Sequence, residues 1–339
     1  MPRRFLALLA AALLSATLLG ACGKAKAPAE ADPVRFTAVI HSVFYAPQYV
    51  AQAKGFFKDE GIALTASTAQ GSDRGVAALL AGTADIALVG PETTIFVHNQ
   101  DSPVKVKLFA QLTARDGSFL VARQRPAGEF AWSDLKSKSV IGWRPGSMPQ
   151  LVAAATFLQQ GLNPEGDLTY ISNIAAPAMV GAFQSGTGDY VQLFEPLVSQ
   201  LEQAGQGHVV ASFGEAYGDM PYTGFVATDK YIAEHPEIVQ RYTNAIYRAM
   251  RYVFETDPVV VAEEIAPLFD GANVDLLASA IHRYRETGAW KTSPVMVPAD
   301  FEKLQDLMVQ GGVLEPSKRA PFDAIATNEF ANKAVEQAK

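Results

Sequence analysis

The chain has 339 residues, of which 49% are hydrophobic and 19% charged, and its formal net charge is −7. This length corresponds to about two domains or one large α/β domain, and the apolar content excludes long-range disorder and collagen-like or low-complexity classes. A mildly acidic chain without a basic block argues against nucleic acid as a partner. The single cysteine, Cys22, excludes an intramolecular disulfide, a zinc–thiolate cluster and a CxxC redox site.

Residues 1–22 are typical of a secretory signal. Arg3 and Arg4 precede an apolar stretch at 5–14 that is short for a membrane span. The ending Leu19-Gly20-Ala21-Cys22 resembles a bacterial lipobox, and this resemblance implies cleavage before Cys22 and lipid attachment to its sulfur. A plain secretion signal with a chance cysteine is the alternative.

Residues 23–33 are small, polar and proline-containing, which is typical of a flexible tether. Removing residues 1–22 takes away two arginines and no acid, so the net charge changes from −7 to −9. We therefore expect a folded protein that begins near Val34 and works outside the cytoplasmic membrane, anchored through lipid on the periplasmic or cell-surface side.

From Val34 onward, strand-like and helix-like segments alternate. In a first unit, the pattern predicts strands at 34–41, 62–66, 84–89, 104–111 and 118–123, with helices at 46–60 and 73–81. In a second unit, it predicts strands at 139–142, 169–171, 188–194 and 209–212, with helical segments at 132–136, 148–160, 177–185 and 195–205. A strand at 223–227 follows, and the rest is mainly helical, at 230–235, 236–256, 258–268, 273–286 and 299–311, with a weaker helix after 320.

Two α/β units followed by helices predict an α/β protein with two lobes and parallel-type sheets. The strands at 118–122 and 223–227 are similar in composition and are the candidate crossings between the lobes. In that case residues 34–120 and 225–339 form lobe 1, and residues 121–224 form lobe 2 with the hinge segments. Two crossings make a hinge, and the ligand would occupy the cleft between the lobes.

Catalytic and nucleotide-binding signatures are missing from the sequence. There is no HExxH, GxSxG, Walker A or strand-linked GxGxxG motif, and none of the five histidines has a second ligand at metal-site spacing. An enzyme is therefore disfavoured, and we expect no cofactor and no metal.

The loops after the strands are the candidate ligand contacts, because ligands of open α/β sheets bind beyond the carboxyl ends of the strands. In lobe 1 the candidates are Ser42, Phe44, Tyr45, Gly71, Ser72, Glu92 and Thr113. Phe44 and Tyr45 could stack on a flat ligand, or one of them could pack in the core. Glu92 could meet a cationic or amino group, or be an N-terminal helix charge.

The second unit contributes the candidates Arg144, Gly146, Ser147, Asn173, Glu195 and Tyr222. Gly146 and Ser147 precede a helix, whose N-terminus favours an anion, and Arg144 would add a positive charge. The Glu195 carboxylate could accept hydrogen bonds from an amine or amidine, or cap the helix that follows it.

Several short motifs, in order along the chain, resemble the solute-binding proteins of ABC importers, in the branch that serves nitrate, sulfonates, taurine and thiamine-pyrimidine precursors. These motifs are Phe44-Tyr45-Ala46-Pro47-Gln48-Tyr49-Val50-Ala51, Lys54-Gly55-Phe56-Phe57, Glu60-Gly61, Leu79-Leu80-Ala81-Gly82-Thr83-Ala84-Asp85-Ile86, Gly188-Asp189 and Glu195-Pro196. The resemblance spans nearly the whole mature chain. It implies a type II-like periplasmic-binding-protein fold with two lobes, two hinge crossings and an interlobe cleft.

The resemblance also implies a function. The protein would capture a small molecule outside the cell and deliver it to a membrane permease, with a separate ATPase subunit, and we expect it to be a monomer. Pyrimidine-binding members use an aromatic residue at the end of the first strand and an acid in the Glu-Pro segment, here Phe44 or Tyr45 and Glu195, although His41-Ser42-Val43 stands where a tryptophan is common. Sulfonate-type members have a small-residue helix start, matched by Gly146-Ser147. A ligand sensor and an enzyme on the same fold are the alternatives.

Overall fold

The computed structural model describes residues 31–100 and 102–338. The predicted signal peptide, Cys22 and most of the tether lie outside the described residues. The described residues form ten strands: β1 (Asp32–Ala38), β2 (Ile62–Thr68), β3 (Ile86–Val89), β4 (Val106–Thr113), β5 (Ser118–Ala122), β6 (Ser139–Ile141), β7 (Thr169–Ile171), β8 (Tyr190–Phe194), β9 (His208–Ser212) and β10 (Thr223–Thr228).

The helices between and after the strands mostly follow the predicted order. They are α1 (Ala46–Ala53), α2 (Phe56–Asp59), α3 (Ser72–Leu80), α4 (Glu92–Asn99), α5 (Met148–Gln159), α6 (Met179–Gln184), α7 (Leu197–Gln203), α8 (Phe213–Tyr217), α9 (Asp229–Glu234), α10 (Pro236–Glu255), α11 (Pro258–Ile265), α12 (Val274–Glu286), α13 (Pro298–Gln310), α14 (Phe322–Ile325) and α15 (Glu329–Gln337). Single 3₁₀ turns lie at Val43–Tyr45, Trp132–Leu135, Ala176–Ala178, Ala266–Leu268 and Pro316–Lys318.

The strands form two five-stranded sheets, in the orders β2-β1-β3-β10-β4 and β7-β6-β8-β5-β9. We call the first sheet with the helices packed on it lobe 1, and the second sheet with its helices lobe 2. The chain passes from lobe 1 to lobe 2 through residues 114–117 and returns through residues 218–222. The suggested crossing strands are each part of a sheet, β5 in lobe 2 and β10 in lobe 1, and the crossings lie just before them.

The expectation of parallel sheets fails for one strand in each lobe. β10 runs antiparallel to β3 and β4, and β5 runs antiparallel to β8 and β9. Each of these strands is the first that the chain enters after a crossing. Because the crossings meet the sheets at the edge where the other strands end, a strand that starts there must run in the opposite direction.

The helix predicted at 46–60 is divided into α1 and α2. Gly55 lies between them with φ +73°, a left-handed conformation that glycine adopts at little cost and that ends a helix. Helices α4 and α8 were not predicted from the sequence pattern. The omission of α4 matters because its first residue, Glu92, lines the cleft described below.

The C-terminal helices pack mainly on lobe 1, and an aromatic cluster holds the longest of them there. Tyr242 of α10 is fully buried, lies 5.4 Å from Phe225 between ring centroids and donates a hydrogen bond of 2.9 Å to Gln48. Helices α12 and α13 also contact lobe 2, through α7 and α5 respectively. Both lobes are therefore held to a common helical layer as well as to the two crossings.

Candidate functional site

A cleft of about 1320 Å³ lies between the carboxyl ends of the strands of the two lobes. Eight of the thirteen predicted ligand contacts line it, namely Tyr45, Gly71, Ser72, Glu92, Arg144, Gly146, Ser147 and Tyr222. They come from both lobes and from the return crossing, which is the arrangement expected of a site that closes around a ligand. Five predicted residues lie outside the lining and are described below.

Glu92 is the most deeply placed charged residue of the cleft. Its residue surface is 8% exposed, and its Oε2 atom has no hydrogen-bond partner among the described residues. Burial raises the pKa of Glu92 to about 7, although its own backbone N–H and the charge of Arg144 oppose the rise. A carboxylate with a free oxygen and a pKa near neutrality is suited to bind a hydrogen-bond donor.

Two more polar groups of the cleft lack partners within the described part of the chain. They are the Nε1–H of Trp143, which follows β6 of lobe 2, and the hydroxyl of Tyr222, which is on the return crossing. Buried polar groups are nearly always hydrogen-bonded in folded proteins. Glu92 and Trp143 therefore offer a carboxylate and an N–H donor to the same cavity, whereas the Tyr222 hydroxyl faces the buried Asp116 carboxylate.

Hydrogen bonds within lobe 2 hold Trp143 in place. Its backbone N–H donates to the Tyr170 hydroxyl at 3.1 Å, and that hydroxyl donates to Gln192 at 3.0 Å. A Cβ at Gly142 would lie 2.0 Å from the Tyr170 ring, so only glycine leaves room for this contact. The indole packs edge-on against Phe194, with ring centroids 5.4 Å apart, and both rings line the cleft.

An ion pair spans the rim of the cleft. Arg144 of lobe 2 lies 3.3 Å from Asp73 of α3 in lobe 1, and the side chains are 63% and 69% exposed. An exposed pair of this kind contributes about 0–1 kcal/mol to stability. The pair nevertheless engages Arg144, the residue that was predicted to bind an anionic ligand.

The predicted anion site at the start of α5 uses its polar groups locally. The Gly146 N–H donates to Gln150 at 3.0 Å, and the Ser147 hydroxyl donates to the Arg144 carbonyl at 2.7 Å. In lobe 1, the Ser72 hydroxyl accepts a hydrogen bond of 3.1 Å from the Gly90 N–H. These residues line the cleft, but the polar groups named here hydrogen-bond to other protein residues and hold the loops in place.

Phe44 lies in the core rather than on the cleft wall. It is fully buried, 5.0 Å from Tyr284 and 5.6 Å from Phe194 between ring centroids. A Cβ at Gly117 would lie 2.3 Å from its ring, so Phe44 packs directly on the first crossing. Its neighbour Tyr45 is the member of the pair that lines the cleft.

Glu195 also lies outside the cleft lining, in a buried ion pair between the lobes. Its side chain has no exposed surface, and its carboxylate accepts from the Ser199 N–H and hydroxyl, both at 2.9 Å, and lies 2.5 Å from Arg283 of α12. Arg283 also lies 2.5 Å from Glu202 of α7. Burial raises the pKa of Glu195 above its usual value even though Arg283 opposes this. We call Arg283, Glu195 and Glu202 the interlobe ion cluster.

The remaining predicted residues outside the lining have structural partners or face solvent. Ser42 donates from its hydroxyl to the Glu195 carbonyl at 2.8 Å, which joins lobe 1 to lobe 2. The hydroxyl oxygens of Thr113 and Thr223 are 2.6 Å apart, which joins β4 to β10. Asn173 is exposed, next to Ile174 of the lining.

Several residues that line the cleft were not among the predicted ligand contacts. The most important are Trp143, Phe194 and Phe96, which supply its aromatic surface. Trp143 and Phe194 each stand at the end of a predicted strand, so the rule that selected the other candidates also covered them. Phe96 lies on α4, which was not predicted.

Among the described residues, no group of three or more histidine, cysteine, aspartate or glutamate side chains is arranged to hold a metal ion. Of the helices in residues 31–100 and 102–338, none has both the length and the apolar run needed to cross a membrane.

The two sheets, the double crossing and the cleft define a two-lobed binding-protein architecture. Residues 28–266 match the model of the NMT1-like family, and the chain belongs to that family. YtlA of Bacillus subtilis (strain 168), which carries the name of a binding protein, is 40% identical over 304 residues, or 90% of each chain. These matches confirm the resemblance noted in the sequence.

Solved structures share the fold. The periplasmic nitrate-binding protein NrtA from Synechocystis PCC 6803 has a TM-score of 0.74 at 14% identity, with 91% of this chain and 90% of that chain covered. The alkanesulfonate-binding protein SsuA from Xanthomonas axonopodis pv. citri, bound to MOPS, has a TM-score of 0.70 at 16% identity, with 88% and 100% covered. The predicted two-lobed α/β fold of periplasmic binding proteins is thereby confirmed.

Proposed function

We propose that this protein is the lipid-anchored substrate-binding subunit of an ABC importer, which captures a small solute and delivers it to the permease. The observation that carries the proposal is the interlobe cleft, which is lined from both lobes and holds two polar groups, on Glu92 and Trp143, that lack partners among the described residues. The solute would be a heteroaromatic compound such as a pyrimidine precursor, or an anion of the sulfonate or nitrate type. The binding-protein name of YtlA and the fold shared with the nitrate-binding protein NrtA and the alkanesulfonate-binding protein SsuA support this class of function.

Transport would depend on closure of the cleft. A ligand that contacts both lobes binds the closed arrangement more tightly and therefore shifts the population towards it. The closed lobes would then present a distinct surface to the permease. Binding and release require no covalent step, so we propose a binding protein rather than an enzyme, with ATP hydrolysis on a separate subunit.

A ligand screen tests the proposal. The full mature protein in detergent should gain thermal stability with members of one of three probe classes, pyrimidines, sulfonates or nitrate. A probe at about 100 times its Kd should add about 2.7 kcal/mol to the unfolding free energy. Differential scanning calorimetry would measure this gain, with an uncharged sugar as the control, and an unchanged transition with all three classes would contradict the proposal.

The anchor is a separate part of the proposal. We propose that residues 1–22 are a lipoprotein signal, that Cys22 carries the lipid and that residues 23–33 are the tether to an extracytoplasmic domain. Cys22→Ser removes the sulfur that would carry the lipid and the residue that defines the cleavage site, so we expect the variant to lack the lipid and to keep residues 1–21. The intact masses of the wild type and the variant would show both changes, and a membrane-fraction wild type without an added lipid mass would argue against lipidation.

A further inference from the structure

We propose that Glu92 anchors the ligand of this cleft and selects an organic molecule with an N–H donor or a protonated nitrogen, in preference to a sulfonate or nitrate anion. The inference rests on the proposed binding function and narrows it to one class of solute. It depends on the placement of one carboxylate, on the charges that face it and on the surface opposite.

The local backbone leaves space for the Glu92 carboxylate. A Cβ at Gly90 would lie 2.0 Å from Oε2 and 2.4 Å from Oε1, so the carboxylate lies over the bare Cα of that glycine. The residue is 8% exposed and lines the cleft, and its Oε2 has no partner within the described residues. A buried acceptor that lacks a donor gains the most when a ligand supplies one.

The charges near Glu92 disfavour an anionic ligand at this position. The groups whose charges act on Glu92 are Arg144 and Asp73, and the hydroxyls of Tyr45 and Tyr222 lie in the same surroundings. Arg144 is paired with Asp73 and mostly exposed, so the opposite charges of these two residues largely offset each other at Glu92. The other cations of the lining, Arg74 and Lys318, are exposed.

The opposite wall matches a flat ligand. Trp143 and Phe194 supply aromatic surface, and the Nε1–H of Trp143, which has no partner in the described part of the chain, would donate to an acceptor on the same molecule. Ligand pockets usually measure about 300–1000 Å³. A cleft of about 1320 Å³ has far more space than a nitrate ion would fill.

Isothermal titration of the full mature protein with matched probes tests the inference. Benzamidine and benzenesulfonate share a ring and differ in the sign of charge, and 4-aminopyrimidine is a neutral donor. We expect benzamidine and 4-aminopyrimidine to bind, and we expect Glu92→Gln to weaken benzamidine about 10- to 100-fold, since a hydrogen bond to a charged group is lost. Benzamidine stays cationic near neutrality, so its affinity should increase as the pH rises through about 7 and Glu92 loses its proton.

A second variant tests the placement of the carboxylate and keeps its charge. Gly90→Ala forces the carboxylate away from its position and should weaken benzamidine to a similar degree. Gly128→Ala is the control, because a Cβ there meets nothing within 4 Å. Thermal unfolding without a ligand would show that each variant is folded.

The outcomes separate the inference from the function on which it rests. Tighter binding of benzenesulfonate or nitrate than of benzamidine, with affinity unchanged or raised by Glu92→Gln, would overturn the inference and leave the binding function standing. An affinity for benzamidine that neither Glu92→Gln nor Gly90→Ala changes would also overturn the inference. If no probe of either class binds, the proposed function fails together with the inference.

Discussion

Phe44→Ala should lower the unfolding free energy by about 3–5 kcal/mol, the range observed when a buried phenylalanine is truncated. Phe44 is fully buried between Tyr284, Phe194 and the first crossing, so its removal leaves a cavity at the junction of the two lobes. Urea denaturation of the full mature protein would measure the loss.

Phe96→Ala is the matched comparison, because Phe96 is partly exposed and lines the cleft. We expect Phe96→Ala to lower the unfolding free energy less than Phe44→Ala does. Relative to that loss of stability, we expect Phe96→Ala to cause the larger decrease in ligand affinity. If Phe44→Ala changed stability by less than about 1 kcal/mol, as surface substitutions do, and still abolished binding, Phe44 would be a ligand contact after all.

Arg283→Ala should lower the unfolding free energy by about 3 kcal/mol, because it leaves the fully buried Glu195 carboxylate without its cation. The interlobe ion cluster joins α12 to α7 and to the segment after β8, so the loss should also loosen the contact between the lobes. Urea denaturation measures the first effect, and small-angle scattering measures the second as a larger radius of gyration.

The pH dependence distinguishes a buried charge from lost packing. The pKa of Glu195 is raised in the folded protein, so the folded state binds this proton more readily than the unfolded chain and loses stability as pH rises through that range. Removing Arg283 takes away an opposing influence and should raise the pKa further. The destabilisation by Arg283→Ala should therefore be smaller at about pH 5 than at about pH 8.

The exposed pair of Arg251 and Glu255 is the control for the interlobe ion cluster. Its side chains are 45% and 64% exposed, so Arg251→Ala should cost about 0–1 kcal/mol with little dependence on pH. A loss of the same size from Arg251→Ala and Arg283→Ala would show that the burial of Glu195 carries no special penalty.

The order of strands and helices was largely predictable, because hydrophobic periodicity and turn residues act within a few positions along the chain. The loops after the strands were predictable for the same reason, and eight of the candidates in them line the cleft. Which side chain of a loop faces the cleft was not predictable, as Phe44 and Tyr45 show. Adjacent residues in a 3₁₀ turn point in different directions, and although both side chains are buried, distant elements such as α12 decide which of them reaches the cleft.

Glu195 shows the same limit for a charged residue. Its partner Arg283 is 88 positions away, and nothing near Glu195 in the sequence indicates that its carboxylate is already paired. For Glu92 the sequence left two interpretations open, a contact with a cationic or amino group and a charge at a helix N-terminus. Its burial and the bare Cα of Gly90 beneath it favour contact with a ligand.

The sequence by itself determined the α/β alternation, the family to which the chain belongs and the edge of the sheets where the cleft forms. All three follow from local patterns and short motifs. The tertiary structure decided that β5 and β10 each run antiparallel to their neighbours in the sheet. It also decided that Arg283 pairs with Glu195 and that Glu92, Trp143 and Tyr222 share one cavity. These features join residues far apart in the chain, and only the packing of the two lobes brings them within contact distance.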